Sequence, residues 1–139
     1  MGQAKLVGHP GFKNVSCLVV DDDEAMRTLV RRLLARSGVG VVIEAEDGEE
    51  ALRRLESTTP AINLVLCDWQ MKKMSGLRLF NELKARNSEI PFIMLTGVVD
   101  LESIVEAKKA GVLAYLVKPV SPRDLEAKIA AMVKVPHER

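Results

Sequence analysis

Five short apolar runs rich in β-branched residues recur along the chain: VSCLVV from Val15, VVIEA from Val41, NLVLC from Asn63, PFIMLT from Pro91 and AYLVK from Ala114. Successive runs start 22 to 28 residues apart, which leaves room for one helix in each interval. Strands that alternate with helices predict a parallel sheet, because each helix carries the chain back to the end where the previous strand began, in a right-handed crossover. Runs that are apolar at every position cannot face water on either side, so the central strands predict helices on both faces.

The intervals read as helices. Met26, Leu29, Val30, Leu33 and Leu34 recur at the helical period, while Arg27, Arg31, Arg32 and Arg36 take other faces. Leu125, Ile129, Met132 and Val133 form a second stripe, after Ser121 as N-cap, Pro122 at the first helical position and Asp124 in the first turn. Lys108 and Lys109 before Gly111 predict the end of the fourth helix. Residues 1–14 carry Gly2, Gly8, Pro10 and Gly11 without periodicity and predict a flexible arm; residues 15–135 form one domain and 136–139 a short tail. No repeat, second domain or attached output domain is expected.

Composition narrows the function. With 47% hydrophobic residues in 139, the chain can bury a real core, and a formal net charge of +1 gives no general affinity for nucleic acid or an acidic membrane. No apolar run approaches the roughly 18–20 residues of a bilayer span, and MGQAKLVGHPGFKN lacks the apolar stretch of a signal peptide, so a cytoplasmic location is expected. Leu6 stands where N-myristoylation prefers Ser or Thr. The two cysteines, Cys17 and Cys67, form no CxxC pair and read as small buried hydrophobes in a reducing compartment. His9 and His137 lie near the termini, so no core imidazole is available for a Ser/His/Asp or Cys/His triad.

In an open α/β sheet, ligands bind beyond the carboxyl ends of the strands. The first run ends in Asp21, Asp22 and Asp23, the third in Asp68, the fourth in Thr96 and the fifth in Lys118. Two unit charges about 4 Å apart repel by roughly 1 kcal/mol in water and roughly 4 kcal/mol at an effective dielectric of 20, so clustered carboxylates call for a cation. Mg²⁺ takes hard oxygen ligands, and a carboxylate can attack phosphorus only where the charge it meets is neutralised.

The blocks VVDDDEAMR, VLCDWQMKKMSG, IMLTG and YLVKP resemble the signature blocks of response-regulator receiver domains, the CheY-like family, over about residues 15–135. The resemblance implies a single doubly wound, five-stranded parallel sheet of order 2-1-3-4-5 with five helices, an architecture shared with flavodoxin. It implies that Asp68 accepts a phosphoryl group from a phosphohistidine. Asp21, Asp22, Asp68 and the Gln70 backbone carbonyl would hold Mg²⁺, with Mn²⁺ as a substitute. Thr96 and Lys118 would contact the phosphoryl oxygens, Tyr115 would turn inward with Thr96, the side chains of Gln70 and Val98 would tune dephosphorylation, and the Lys118–Pro119 bond would be cis. Trp69, beside the acceptor, would report on the metal pocket. The implied partners are a sensor histidine kinase or histidine phosphotransfer protein and a downstream protein on the face of the fourth helix, fifth strand and fifth helix. The protein would be a switch rather than an enzyme, monomeric or a weak dimer, with no nucleic acid or membrane partner.

This sequence departs from the family at Lys72, where proline is usual; Lys73 follows it. Other classes fit less well. An aspartate-nucleophile phosphatase places a second acid two residues after the nucleophile, where this chain has Gln70, and DDDEAMR would repel the phosphate of FMN in a flavodoxin-like carrier. A phosphorylation-independent interaction module would be expected to have lost part of the acid set.

Overall fold

The computed structural model describes residues 10–97 and 101–133. A 3₁₀ turn (Pro10–Asn14) leads into β1 (Ser16–Val20), α1 (Glu24–Arg36), β2 (Val41–Ala45), α2 (Gly48–Ser57), β3 (Leu64–Asp68), α3 (Gly76–Ala85), β4 (Phe92–Thr96), α4 (Leu101–Ala110), β5 (Ala114–Val117) and α5 (Pro122–Met132). The sheet has the expected order β2-β1-β3-β4-β5, and every neighbouring pair is parallel. Among the described residues no helix is long and apolar enough to cross a membrane.

The apolar runs supply two cores because side chains alternate across a strand. Cys17, Val19, Leu64, Leu66, Ile93 and Leu95 face one side and pack with Val30 and Leu34 of α1 and Leu125 and Ile129 of α5. Leu18, Val20, Val65, Cys67, Phe92 and Met94 face the other, against Ala51 of α2, Leu79 and Leu83 of α3 and Ala107 of α4. Strands β1, β3 and β4 are buried at every position, whereas the edge strands β2 and β5 are only partly covered. Each fully buried Leu, Ile or Val contributes about 1.5–3 kcal/mol, and this burial fixes the register that brings the strand ends level.

Capping sets where the helices begin. Asp23 accepts from Ala25 and Met26 N–H, Asp47 from Glu50, Ser75 from Arg78 and Ser121 from Asp124 with Pro122 at the first helical position. Each such cap is worth about 1 kcal/mol. Gly111, at φ 110°, ends α4 in the left-handed region, as the sequence predicts.

Two expectations fail. Residues 10–14 are not part of a flexible arm: Phe12 is fully buried in the α1/α5 core, and its carbonyl accepts from Val15 and Gly40 N–H. A single aromatic without periodic neighbours carries no helix or strand signal, yet its burial anchors the turn. Residues 1–9 and 134–139 lie outside the described residues. Leu29, read as part of the α1 stripe, is 44% exposed, because Val30 and Leu34 already fill the arc that meets the sheet.

Gly76 shows how closely α3 enters beneath β3. A Cβ there would lie 2.7 Å from the Asp68 carbonyl oxygen and 2.8 Å from Trp69 Cε3. Gly76→Ala is expected to destabilise the protein by about 1–3 kcal/mol, the range for overpacking against backbone. Urea denaturation reads this directly, and an unchanged midpoint would contradict it.

Candidate functional site

The carboxyl edge of the sheet brings together the residues that end β1, β3, β4 and β5. Asp21 follows β1 and is 1% exposed; Asp68 ends β3 at 8% and Thr96 ends β4 at 2%. Lys118 follows β5, and its N–H donates to the Thr96 carbonyl at 2.8 Å, which ties those two strand ends together. One carboxylate oxygen from each of Asp21, Asp22 and Asp68 lies within 4.8 Å of the others.

The Lys118 ammonium lies between two of these acids, 3.4 Å from Asp21 Oδ2 and 3.3 Å from Asp68 Oδ1. Backbone amides hold the carboxylates as well. Asp23 N–H donates to Asp21 Oδ1 at 2.9 Å, Gln70 N–H to Asp68 Oδ1 at 3.4 Å and Lys72 N–H to Asp22 Oδ2 at 3.0 Å. Behind the site, Arg27 Nη1 donates to the Asp21 carbonyl at 2.7 Å while its Nε pairs with Glu44 at 3.1 Å. This anchors the acidic turn to the edge strand.

Burial raises the Asp68 pKa above its ordinary 3.8; the Asp21 charge raises it further, and Lys118 and the Gln70 N–H offset this in part. A carboxyl whose folded pKa is raised gives its full stability below the unfolded value and loses it as pH rises through the folded pKa. Metal-free protein at neutral pH therefore carries the cost of an ionised Asp68. Asp68→Asn is expected to be more stable than wild type in EDTA at pH 7, on the order of 1–3 kcal/mol, the scale for a buried group left imperfectly compensated. The gap should close as pH falls toward 3.8. Denaturation of both proteins across that range tests it, and a gap that widens on acidification would contradict it. Burial also pushes the Cys17 and Cys67 thiols well up, so both are poor nucleophiles.

Hard oxygen donors gathered around one point fit Mg²⁺ by charge and by ligand type. Gln70 begins the loop beside Asp68, exposed, with its N–H turned to that carboxylate. Thr96 Oγ1 donates to the Gly97 carbonyl at 3.4 Å. Tyr115 is half-buried in β5, packed on the second core with Lys128 Nζ 5.8 Å from its ring centroid. The Lys118–Pro119 bond is cis. Val98 lies outside the described residues.

Several contributors to the site escaped the sequence reading. Asp23 continues the acidic run but serves as the α1 N-cap, and an acid three residues into a run before a helix is the signal that could have shown it. Arg27 read as one of several surface arginines, yet its side chain is only 14% exposed. The sequence places Trp69 beside the acceptor but does not foretell its bond: the ring is 3% exposed and its indole N–H donates to Glu106 of α4 at 3.4 Å, a contact between distant segments that no local pattern reveals.

A parallel β2-β1-β3-β4-β5 sheet with helices on both faces and an acid cluster with one lysine at its carboxyl edge defines a CheY-like receiver domain. The chain belongs to the response-regulator family: the profile described as "Response regulator receiver domain" matches residues 17–130. It is 38% identical over 118 residues to chemotaxis protein CheY1 of Helicobacter pylori, covering 84% of this chain and 94% of that protein. It is 39% identical over 114 residues to the transcriptional regulatory protein ZraR of Escherichia coli, covering 82% of this chain and 25% of that one. A response regulator receiver domain from Clostridium thermocellum superposes with a TM-score of 0.77 at 32% identity, covering 85% of this chain and 93% of that one. The protein is thus a receiver of two-component signalling.

Proposed function

We propose that the domain is a phosphoacceptor switch in which Asp68 takes a phosphoryl group from a phosphohistidine of a sensor kinase or histidine phosphotransfer protein. The observation that carries this reading is the position of Lys118, within 3.4 Å of Asp21 and 3.3 Å of Asp68 beside a third carboxylate. An Asp68 oxygen attacks phosphorus, the P–N bond breaks, and its electron pair returns to the ring nitrogen, which regains a proton from solvent. Asp21, Asp22, Asp68 and the Gln70 carbonyl would hold Mg²⁺. When bound, the ion supplies positive charge against the phosphoryl oxygens and relieves the repulsion among the acids.

The chain's own groups do the rest. Lys118 meets the transferred group as a compact cation, and the Thr96 hydroxyl offers a donor from the adjoining strand end. Gln70, two residues after the acceptor, and Val98, two after Thr96, would set how fast water removes the phosphoryl group. Differential contact of Thr96 and Lys118 with the dianion favours one arrangement of α4, β5 and Tyr115 over another. That face exposes Leu101, Val105, Leu113 and Val117, a surface suited to a downstream protein.

Incubation with acetyl phosphate should add one phosphoryl group per chain in Mg²⁺ or Mn²⁺ and none in EDTA. Mg²⁺ alone should raise the melting temperature and change Trp69 fluorescence. Uptake that proceeds equally in EDTA would refute the metal-dependent reading.

A further inference from the structure

We propose that the backbone N–H of Lys72 is a positioning group for Asp22, so that the loop between β3 and α3 sets the metal affinity of the first acidic turn. The inference rests on the reading of the acid cluster as a Mg²⁺ site.

Each of the three carboxylates receives one backbone N–H. For Asp21 and Asp68 the donor is two residues along the same turn, at Asp23 and Gln70, so the contact forms locally. For Asp22 the donor is Lys72, 50 residues away on a different loop, at 3.0 Å. Asp22 is the exposed member of the set, and Lys118 reaches Asp21 and Asp68. A solvent-exposed aspartate samples several rotamers, and ordering it costs free energy when a cation binds. The Lys72 N–H settles that rotamer beforehand. It occupies one lone pair of Oδ2 and leaves the rest of the carboxylate open to a cation.

The donor is itself held. Lys73 Nζ lies 3.8 Å from Asp47 Oδ2, the capping residue of α2, and Met74 fills the space where a Cβ on Gly48 would sit. The loop is therefore pinned on its far side to α2 and on its near side to Asp22. Because the contact uses the backbone, it does not depend on the lysine side chain, and only removal of the N–H abolishes it. Proline is the residue that removes it.

The test is calorimetric titration of MgCl₂ into wild type, Lys72→Pro and Lys72→Ala, with folding of each checked by circular dichroism. Lys72→Pro should bind Mg²⁺ roughly tenfold more weakly, the low end of the 10–100-fold range for groups that orient a metal ligand. Lys72→Ala keeps the N–H and should bind like wild type. Equal affinity for wild type and Lys72→Pro would overturn the proposal, as would an equal loss in both variants. If Lys72→Pro does not fold, hydrogen exchange at the Lys72 amide decides: Asp22→Ala should speed it, and an unchanged rate overturns the proposal. Wild type that binds no Mg²⁺ refutes the metal site itself and takes this inference with it, a result distinct from equal binding by the two proteins.

Discussion

Lys118→Ala is expected to destabilise the metal-free protein by on the order of 2–3 kcal/mol, somewhat below the cost of breaking a fully buried ion pair because the Lys118 side chain is 21% exposed. The substitution removes the cation that lies 3.4 Å from Asp21 and 3.3 Å from Asp68 and leaves two buried acids facing each other. Lys118 lowers the Asp68 pKa in the folded protein, so its loss should drive that carboxyl further up, and the stability regained when Asp68 is protonated on acidification should begin to return at a higher pH than in wild type. Saturating Mg²⁺ should restore part of the lost stability, since a divalent cation answers the same repulsion. Uptake of phosphate from acetyl phosphate should continue, because the nucleophile remains, but roughly 10²-fold more slowly, the cost of losing one donor to the developing charge. The Tyr115 ring signals in NMR should no longer respond to it. Urea denaturation with and without Mg²⁺ checks the first part, and an unchanged midpoint in EDTA would show that Lys118 does not balance the acids.

What could be read in the sequence follows from period and position. The apolar runs at Cys17–Val20, Leu64–Cys67 and Phe92–Leu95 signal buried strands, and their polar successors Asp21, Asp68 and Thr96 fall at the sheet edge because strand length is set by the thickness of the core. The strand order came from family resemblance, since five βα units permit several orders. Contacts between segments far apart in sequence were not legible. Phe12 reaches the core only because the turn after Pro10 folds it beneath Gly40, and Arg27 links β1 to β2 only once those strands pair. The Lys72 amide leaves one sequence signal, the departure from the family's usual proline, because its role lies in a backbone N–H that every residue but proline carries; the Asp22 carboxylate it meets is not legible from that position. The Trp69 indole bond to Glu106 was not legible for a different reason, since it depends on where α4 packs.

The acceptor assignment has the largest expected effect of all. Asp68→Asn keeps the shape of the side chain and its place at the end of β3 but replaces the attacking carboxylate with an amide that is a far weaker nucleophile. Stoichiometric uptake of phosphate should fall to nothing detectable, while the protein stays folded and, in EDTA at neutral pH, becomes more stable than wild type. Loss of uptake through unfolding is thereby separated from loss of the nucleophile. An acyl phosphate also carries a chemical signature, because borohydride cleaves it reductively and leaves homoserine where the aspartate stood. The most direct measurement is borohydride reduction of acetyl-phosphate-treated, Mg²⁺-loaded wild type followed by peptide mass sequencing. Homoserine at position 68, absent from untreated protein, is the predicted result; homoserine at position 21 or 22 instead, or an Asp68→Asn protein that still takes up one phosphate, would contradict the account.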